Sequence, residues 1–385
     1  MKAITKFAIP EIIFGRGSME YTALCAKRLG AERAFVVSDS GLEKVGWVDK
    51  LLSILDKCQL EWVYFGDVVS NPRDYQIQKG AEFYLENRAD VVIALGGGSA
   101  LDAAKGIALV ASNGGSIHDY EGANKIHRPL PPMVFLPTTA GSGSDISQFA
   151  IITDTKRHVK MSIISRTLIP NISIIDPLFL QTKPKELVLS SAVDALSHAI
   201  ESYVSTIASP FTEVQSLKAI ELIWKYLPKV SEQQSYPLDL DILEKLSIAS
   251  TAAAMAFSNA SLGAAHAIAH ALGGMFDVKH GIVHSALLPA VVLFNMNSCL
   301  AKMEKIGSVF LGKRMKNAKN TALSGIEKMK EFFESVGLPV RLRDLLPSAD
   351  NLENICKMAR HDACVITNPK PVSWKDLLRI CEEAW

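Results

Sequence analysis

A chain of 385 residues is longer than one ordinary hydrophobic core serves, so two domains are expected. Its 48% hydrophobic and 21% charged residues suit a globular protein with a large interior, and a formal net charge of +1 gives no global field toward nucleic acid or an anionic membrane. No run approaches ~18 consecutive apolar residues, Pro10 and Glu11 interrupt the N-terminus where a signal peptide needs apolar sequence, and six cysteines without a CxxC pair read as reduced thiols, so a cytoplasmic protein off the membrane is expected.

In chain order, short β-rich runs alternate with helical stretches up to about residue 180. Segments 33–39, 60–66, 89–98, 131–139 and 171–177 read as strands, several of them apolar almost throughout. Such runs are buried on both faces, and their alternation with helices predicts a parallel sheet covered on both sides. Asp39 ends the first run, where a carboxylate either caps the next turn or accepts hydrogen bonds from an adenosine ribose. The third run passes through Gly96, Gly97 and Gly98 into a helix, with Ser99 placed to cap it and Asp102 expected in its first turn. Free N–H groups and the helix dipole at such a start favour a pyrophosphate, and glycine lets it approach the main chain. The pattern is not G-x-G-x-x-G, so the dinucleotide fingerprint is absent. A second loop, 136–145, follows another buried strand and carries Thr138, Thr139, Ser142 and Ser144 with Gly141 and Gly143. Two such loops at strand ends predict one ligand crevice at the carboxyl edge of the sheet.

From residue 184 the strand signal gives way to helical periodicity. Asp194 and His198 stand four apart on one helix face otherwise lined by Ala, Leu and Val, where an unpaired carboxylate is costly. His266 and His270 repeat that spacing, and His280 and His284 follow a Gly273–Gly274 pair expected to turn the chain back. A lone pair of this kind is more often a salt-bridged face or a hydrogen-bonded core histidine. One carboxylate with several imidazoles in apolar helices is instead what a divalent first-row metal requires. No cysteine joins the set, and the histidines exceed one tetrahedral site, leaving one for an outer-shell or proton-transfer role. The predicted fold is α/β plus all-α: a Rossmann-like dinucleotide-binding domain over 1–180, then an all-helical metal and substrate domain over 181–385.

These motifs, GGGSALDAAK (96–105), PTTAGSGSD (137–145), VDALSHAIESY (193–203), AHAIAHALGG (265–274), KHG (279–281) and the C-terminal NPKPVSWKDLLRICEEAW, resemble the iron-containing (group III) alcohol dehydrogenase family over essentially the whole chain. The resemblance implies Asp194, His198, His266 and His280 as ligands of Fe2+ (or Zn2+), and His270 as a non-ligand histidine beside the nicotinamide and the candidate proton relay. It implies Gly97, Gly98, Ser99 and Asp102 at the pyrophosphate, Thr138 and Thr139 in the second cofactor loop, and Asn71 and Lys160 as further cofactor contacts. Asp39 matches the acid that favours NAD over NADP, because a carboxylate repels a 2′-phosphate. The implied activity is NAD(H)-linked interconversion of a primary alcohol and its aldehyde by a homodimer or higher homo-oligomer.

Departures from the family pattern bear on the substrate. Asp145 stands where Glu is usual, and His284-Ser285 where Asn-Ala is common. Phe149, with Phe257, is expected to give the substrate pocket aromatic walls, which suits small or medium aliphatic or aromatic aldehydes and disfavours a polyol. Rival readings are a glycerol-dehydrogenase-like oxidoreductase, a dehydroquinate-synthase-like lyase, and a regulatory homologue of low turnover.

Overall fold

A computed structural model of the chain describes residues 7–385. Residues 1–6, which the signal-peptide reading partly covers, lie outside the described residues. Contacts divide the chain into two compact units: Ala8–Thr182, and Lys183–Trp385 joined by Phe7. Phe7 therefore departs from the expected 1–180 grouping, because its ring sits 5.9 Å from that of Phe211 in the helical unit.

The first unit holds strands β1 (Glu11–Phe14), β2 (Arg33–Val37), β3 (Glu61–Phe65), β4 (Val91–Gly96), β5 (Gly122–Ala123), β6 (Met133–Pro137), β7 (Phe149–Asp154), β8 (Val159–Ile164) and β9 (Ile172–Ile175). Six of them form a Rossmann-like parallel sheet in the order β1-β9-β6-β4-β2-β3. β5, β8 and β7 form a small second sheet, in which β7 and β8 are an antiparallel pair. Five of the six sheet strands are the expected ones. β1 was not anticipated, since its four residues are partly exposed at the sheet edge and carry an apolar run of only three.

Alternation along the central strands explains the layers. Phe35, Val92, Ala94 and Phe135 face one core with Ile77, Leu101 and Ile107, while Val36, Ile93, Leu95 and Leu136 face the other with Leu51 and Leu55. The helices on those faces are α1 (Thr22–Arg28), α2 (Ser40–Lys44), α3 (Trp47–Lys57), α4 (Asp74–Glu86) and α5 (Gly98–Asn113). Each fully buried Val, Leu, Ile or Phe contributes about 1.5–3 kcal/mol, so the doubly covered strands anchor the unit. The strand order reverses between β2 and β4: β2 leads outward to β3, β4 the other way to β6. A ligand crevice belongs at that switch point, beyond the carboxyl ends of β2 and β4.

The second unit is helical: α6 (Lys185–Val204), α7 (Pro210–Glu232), α8 (Leu240–Ala260), α9 (Ala264–Phe276), α10 (His280–Asn295), α11 (Leu300–Leu311), α12 (Ala318–Ser335), α13 (Leu352–Ala359) and α14 (Trp374–Glu383). One expectation is corrected here. Gly273 and Gly274 do not break α9, which runs on to Phe276; the reversal falls at Asp277, in the left-handed region at φ 54°. Asp tolerates that conformation better than most residues. Among the described residues, His280–Ser298 alone is long and apolar enough by composition to cross a membrane, and 67% of that window is buried. With two histidines in its first turns, it is a core helix.

Candidate functional site

In the helical unit, α6 projects Asp194, Ser197, His198 and Glu201 from one face, as their spacing of three, four and seven requires. α9 adds His266 and His270, and α10 adds His280 and His284. The four imidazoles of His284, His266, His280 and His198 bring Nε2 to 3.3, 3.6, 3.8 and 4.0 Å from Asp194 Oδ1. Asp194, His266, His280 and His284 form a group whose donor atoms all lie within 4.8 Å of one another. Asp194 is only 6% exposed and His266 1%, yet Asp194 Oδ1 and His266 Nε2 have no hydrogen-bond partner. Burial alone raises a carboxyl's pKa, but His198 and its neighbours hold Asp194 well below the usual carboxylate range. For His266 burial pulls downward, and Asp194 with Glu201 carries the imidazole up to about 9. His284 is pushed well below its ordinary value by burial and by His266. A concentrated set of N and O donors, with buried donor atoms otherwise unpartnered, fits a divalent cation.

Glu201 fixes the orientation of His266. Its Oε2 lies 2.5 Å from His266 Nδ1, and its Oε1 accepts the Ala265 N–H at 2.7 Å. The buried carboxylate engages Nδ1 and leaves Nε2 facing Asp194, the outer-shell arrangement typical of a ligating histidine. His198 stacks between Phe257, 4.2 Å away at 23°, and His266, 4.4 Å away at 17°. His270 stands beside the cluster, its ring stacked on His280 at 5.2 Å and its Nδ1 2.8 Å from Asp362 Oδ2. Burial opposes ionisation of Asp362, but His270 and the Cys364 N–H hold its carboxyl well below the usual range.

The cluster depends on close backbone approach. A methyl group on Gly281 would fall 2.5 Å from Ser190 O and 3.5 Å from Asp194 Cβ, so the start of α10 lies against α6 only because residue 281 is glycine. Gly281→Ala is expected to push these helices apart and destabilise the protein by about 1–3 kcal/mol. An unchanged urea midpoint and unchanged metal affinity would contradict that packing.

In the α/β unit, the two expected cofactor loops meet. A methyl on Gly98 would fall 2.8 Å from Ser142 Cβ, and one on Gly97 3.3 Å from Thr139 Cγ2. Thr138 Oγ1 and Asp102 Oδ1 are buried there without hydrogen-bond partners. A glycine cradle with unpartnered buried acceptors and donors fits a bound nucleotide. Two local expectations change. Gly97, not Ser99, is the N-cap of α5, and no side chain caps the helix; Ser99 lies within it, and its Oγ accepts the Asn71 N–H at 3.1 Å. Asp102 falls one residue past the first turn, where it accepts the Ile151 N–H at 3.1 Å and Lys160 lies within electrostatic reach. The missing cap leaves the first N–H groups of α5 without a competing side chain. Asp39 does cap α2, accepting from Gly41 and Leu42 N–H through Oδ1, while its Oδ2 lies 3.7 Å from where a methyl on Gly96 would stand. Two residues beyond β2, it therefore faces the Gly96 turn at the switch point.

Lys105, quoted in the glycine motif but given no role there, is fully buried. Its Nζ donates to Ser147 O at 2.8 Å and Phe149 O at 2.7 Å, tying α5 to the start of β7 and the loop before it. Asp145, the departure from Glu, accepts the Ser173 hydroxyl at 2.6 Å. Burial lowers Lys105 from 10.5 to about 8, only partly opposed by Asp102 and Asp145. The unfolded chain keeps a proton that the folded chain releases between these values, so stability from this group rises with pH between about 8 and 10.5. That contribution is lost as pH falls through 8. Urea midpoints across that window are expected to climb in the wild type and to lose this slope in Lys105→Met; equal slopes would contradict the assignment. Phe149 belongs to the α/β unit, with its carbonyl on Lys105, and Phe257 to the helical unit, packed on His198. Glu201, Asp362 and Lys105 were missed as site residues because each acts through a partner distant in sequence.

Two glycine- and hydroxyl-bearing loops at the carboxyl edge of a parallel sheet, with a buried carboxylate–histidine cluster in a helical unit, fit the class of metal-dependent dehydrogenases. Comparison with known proteins agrees. The model of the iron-containing alcohol dehydrogenases matches residues 10–177, and the C-terminal model of the Fe-containing alcohol dehydrogenase family matches 188–385. The chain is 33% identical over 386 residues to the NAD-dependent methanol dehydrogenase of Bacillus methanolicus, spanning 99% of this chain and 100% of the relative. It is 33% identical to the 1,3-propanediol dehydrogenase of Citrobacter freundii, spanning 98% of each. The solved alcohol dehydrogenase from Oenococcus oeni superposes with a TM-score of 0.94 at 32% identity, covering 99% of this chain and 100% of that one. The protein belongs to the iron-containing alcohol dehydrogenase family and is an oxidoreductase.

Proposed function

We propose that this enzyme interconverts short primary alcohols and their aldehydes with NAD(H), at a divalent metal held by Asp194, His198, His266 and His280. The observation that carries the reading is the buried cluster of imidazoles around Asp194, with Asp194 Oδ1 and His266 Nε2 unpartnered. When bound, the metal supplies Lewis acidity toward the substrate oxygen and the nicotinamide supplies hydride chemistry. The chain's own residues do the rest. Glu201 holds His266 with Nε2 toward the metal position. Asp362, kept ionised, holds the Nδ1 proton of His270, which leaves His270 Nε2 to accept or return the alcohol proton.

On the cofactor side, the N–H groups at the start of α5, with Gly97, Gly98, Ser99 and Asp102, receive the pyrophosphate. Thr138, Thr139, Asn71 and Lys160 complete the binding, and Asp39 accepts the ribose hydroxyls and disfavours NADP. Phe149 and Phe257 are assigned to the substrate. The relatives' named substrates, methanol and 1,3-propanediol, support a short-alcohol range. Fe2+ is the assigned metal, with Zn2+ able to occupy the same donors. Six free cysteines fit a reducing cytoplasm. The protein is assigned as a homodimer or higher homo-oligomer, a state that light scattering reads directly.

A panel of short aldehydes with NADH, repeated with NADPH, tests the reading. Turnover with at least one aldehyde, faster with NADH, is expected. Exclusive use of NADPH would remove Asp39 from its role.

A further inference from the structure

The metal-centre reading leaves one buried imidazole of the cluster unused. We propose that His284 is itself a metal ligand, so that this chain surrounds the ion with four imidazoles and one carboxylate. The proposal rests on the metal-centre reading and adds a donor to it.

The geometry points this way at every contact His284 makes. Its Nε2 approaches Asp194 Oδ1 to 3.3 Å, closer than His266 at 3.6 Å, His280 at 3.8 Å or His198 at 4.0 Å. Two donors about 2.1 Å from one ion, at angles of 90–120°, lie roughly 3.0–3.6 Å apart, so the His284 and His266 separations are those of adjacent ligands, while the 3.8 and 4.0 Å of His280 and His198 need wider angles. The 3.3 Å approach is not a hydrogen bond, because Asp194 Oδ1 has no hydrogen-bond partner. His284 Nε2 also lies within hydrogen-bond distance of His280 Nε2, at 3.4 Å, so both ring nitrogens and Asp194 Oδ1 converge on one point. A shared cation would draw these three donor atoms to one point. Its other nitrogen, Nδ1, lies 3.1 Å from the Ser197 hydroxyl on α6, which fixes the ring and presents Nε2 inward, as outer-shell partners of ligating histidines do. The side chain is wholly buried, one helical turn beyond His280 on α10. Five N and O donors suit an ion that takes five or six ligands, such as Fe2+, better than a closed tetrahedral site.

Full-length protein stripped with a chelator and reloaded with Co2+ tests the proposal without reference to turnover. His284→Asn is expected to change the visible ligand-field absorption of Co2+ and to weaken its binding by at least the roughly 10–100-fold that losing even an outer-shell partner costs. His284→Cys is expected to gain a near-ultraviolet thiolate-to-cobalt charge-transfer band. The exposed His127→Asn is expected to change neither. X-ray absorption on the Co2+-loaded wild type is expected to count four imidazoles, which needs no variant to fold. A count of three, or an unchanged spectrum and affinity in His284→Asn with no charge-transfer band in His284→Cys, overturns the proposal. A wild type that binds no Co2+ at all brings down the metal-centre reading itself.

Discussion

His266→Ala is expected to lose its divalent metal and to lower kcat/KM for NADH-linked aldehyde reduction by about 10^3-fold or more. The magnitude follows from Lewis-acid stabilisation worth several kcal/mol, with each 1.36 kcal/mol giving tenfold in rate. His266 is the central member of the cluster: its Nε2 is 3.6 Å from Asp194 Oδ1, and its ring contacts those of His198 at 4.4 Å and His284 at 4.2 Å. The substitution also strips Glu201 of its imidazole partner in a dry site, where breaking a buried pair costs about 3–5 kcal/mol. A thermal transition recorded beside the kinetics separates loss of fold from loss of chemistry. A folded variant that retains metal and turns over within tenfold of the wild type would contradict the assignment.

Glu201→Gln is expected to weaken metal binding about 10–100-fold while leaving kcat at saturating metal largely intact. The carboxylate meets His266 Nδ1 with one oxygen and accepts the Ala265 N–H with the other. A glutamine has one acceptor, so its amide NH2 must oppose either the Ala265 N–H or a protonated His266 Nδ1. The second choice favours the tautomer with the proton on Nε2, where the metal binds. Competition with a chelator of known affinity reads the change, and an unaltered dissociation constant would show that Glu201 does not prepare the ligand.

Much of this architecture was legible because periodicity reports burial. The apolar runs ending at Asp39, Gly98 and Thr139 mark strands covered on both faces, and the loops after them fall at the carboxyl edge of the sheet. Pairs four residues apart, Asp194 with His198 and His266 with His270, lie on single helix faces because 3.6 residues per turn demands it. What sequence patterns do not carry is cross-helix partnership. Glu201 looks like an ordinary helix glutamate until α9 brings Ala265 and His266 against it, 64 and 65 residues away. Likewise Asp362, 92 residues from His270, and Lys105, 42 from Ser147, acquire meaning only through tertiary contact. The Ser99 and Asp102 expectations erred by a residue or two, because helix boundaries are set by local hydrogen bonds that glycine-rich sequence leaves undetermined.

The most direct test of the account is NADH oxidation by short aldehydes, measured on protein stripped of metal and then reloaded anaerobically with Fe2+ or Zn2+. The account predicts no turnover from the stripped protein and its recovery on reloading. Tight binding of both NADH and metal with no turnover of any aldehyde would contradict it, and would leave a regulatory homologue that keeps the fold and both sites without the reaction.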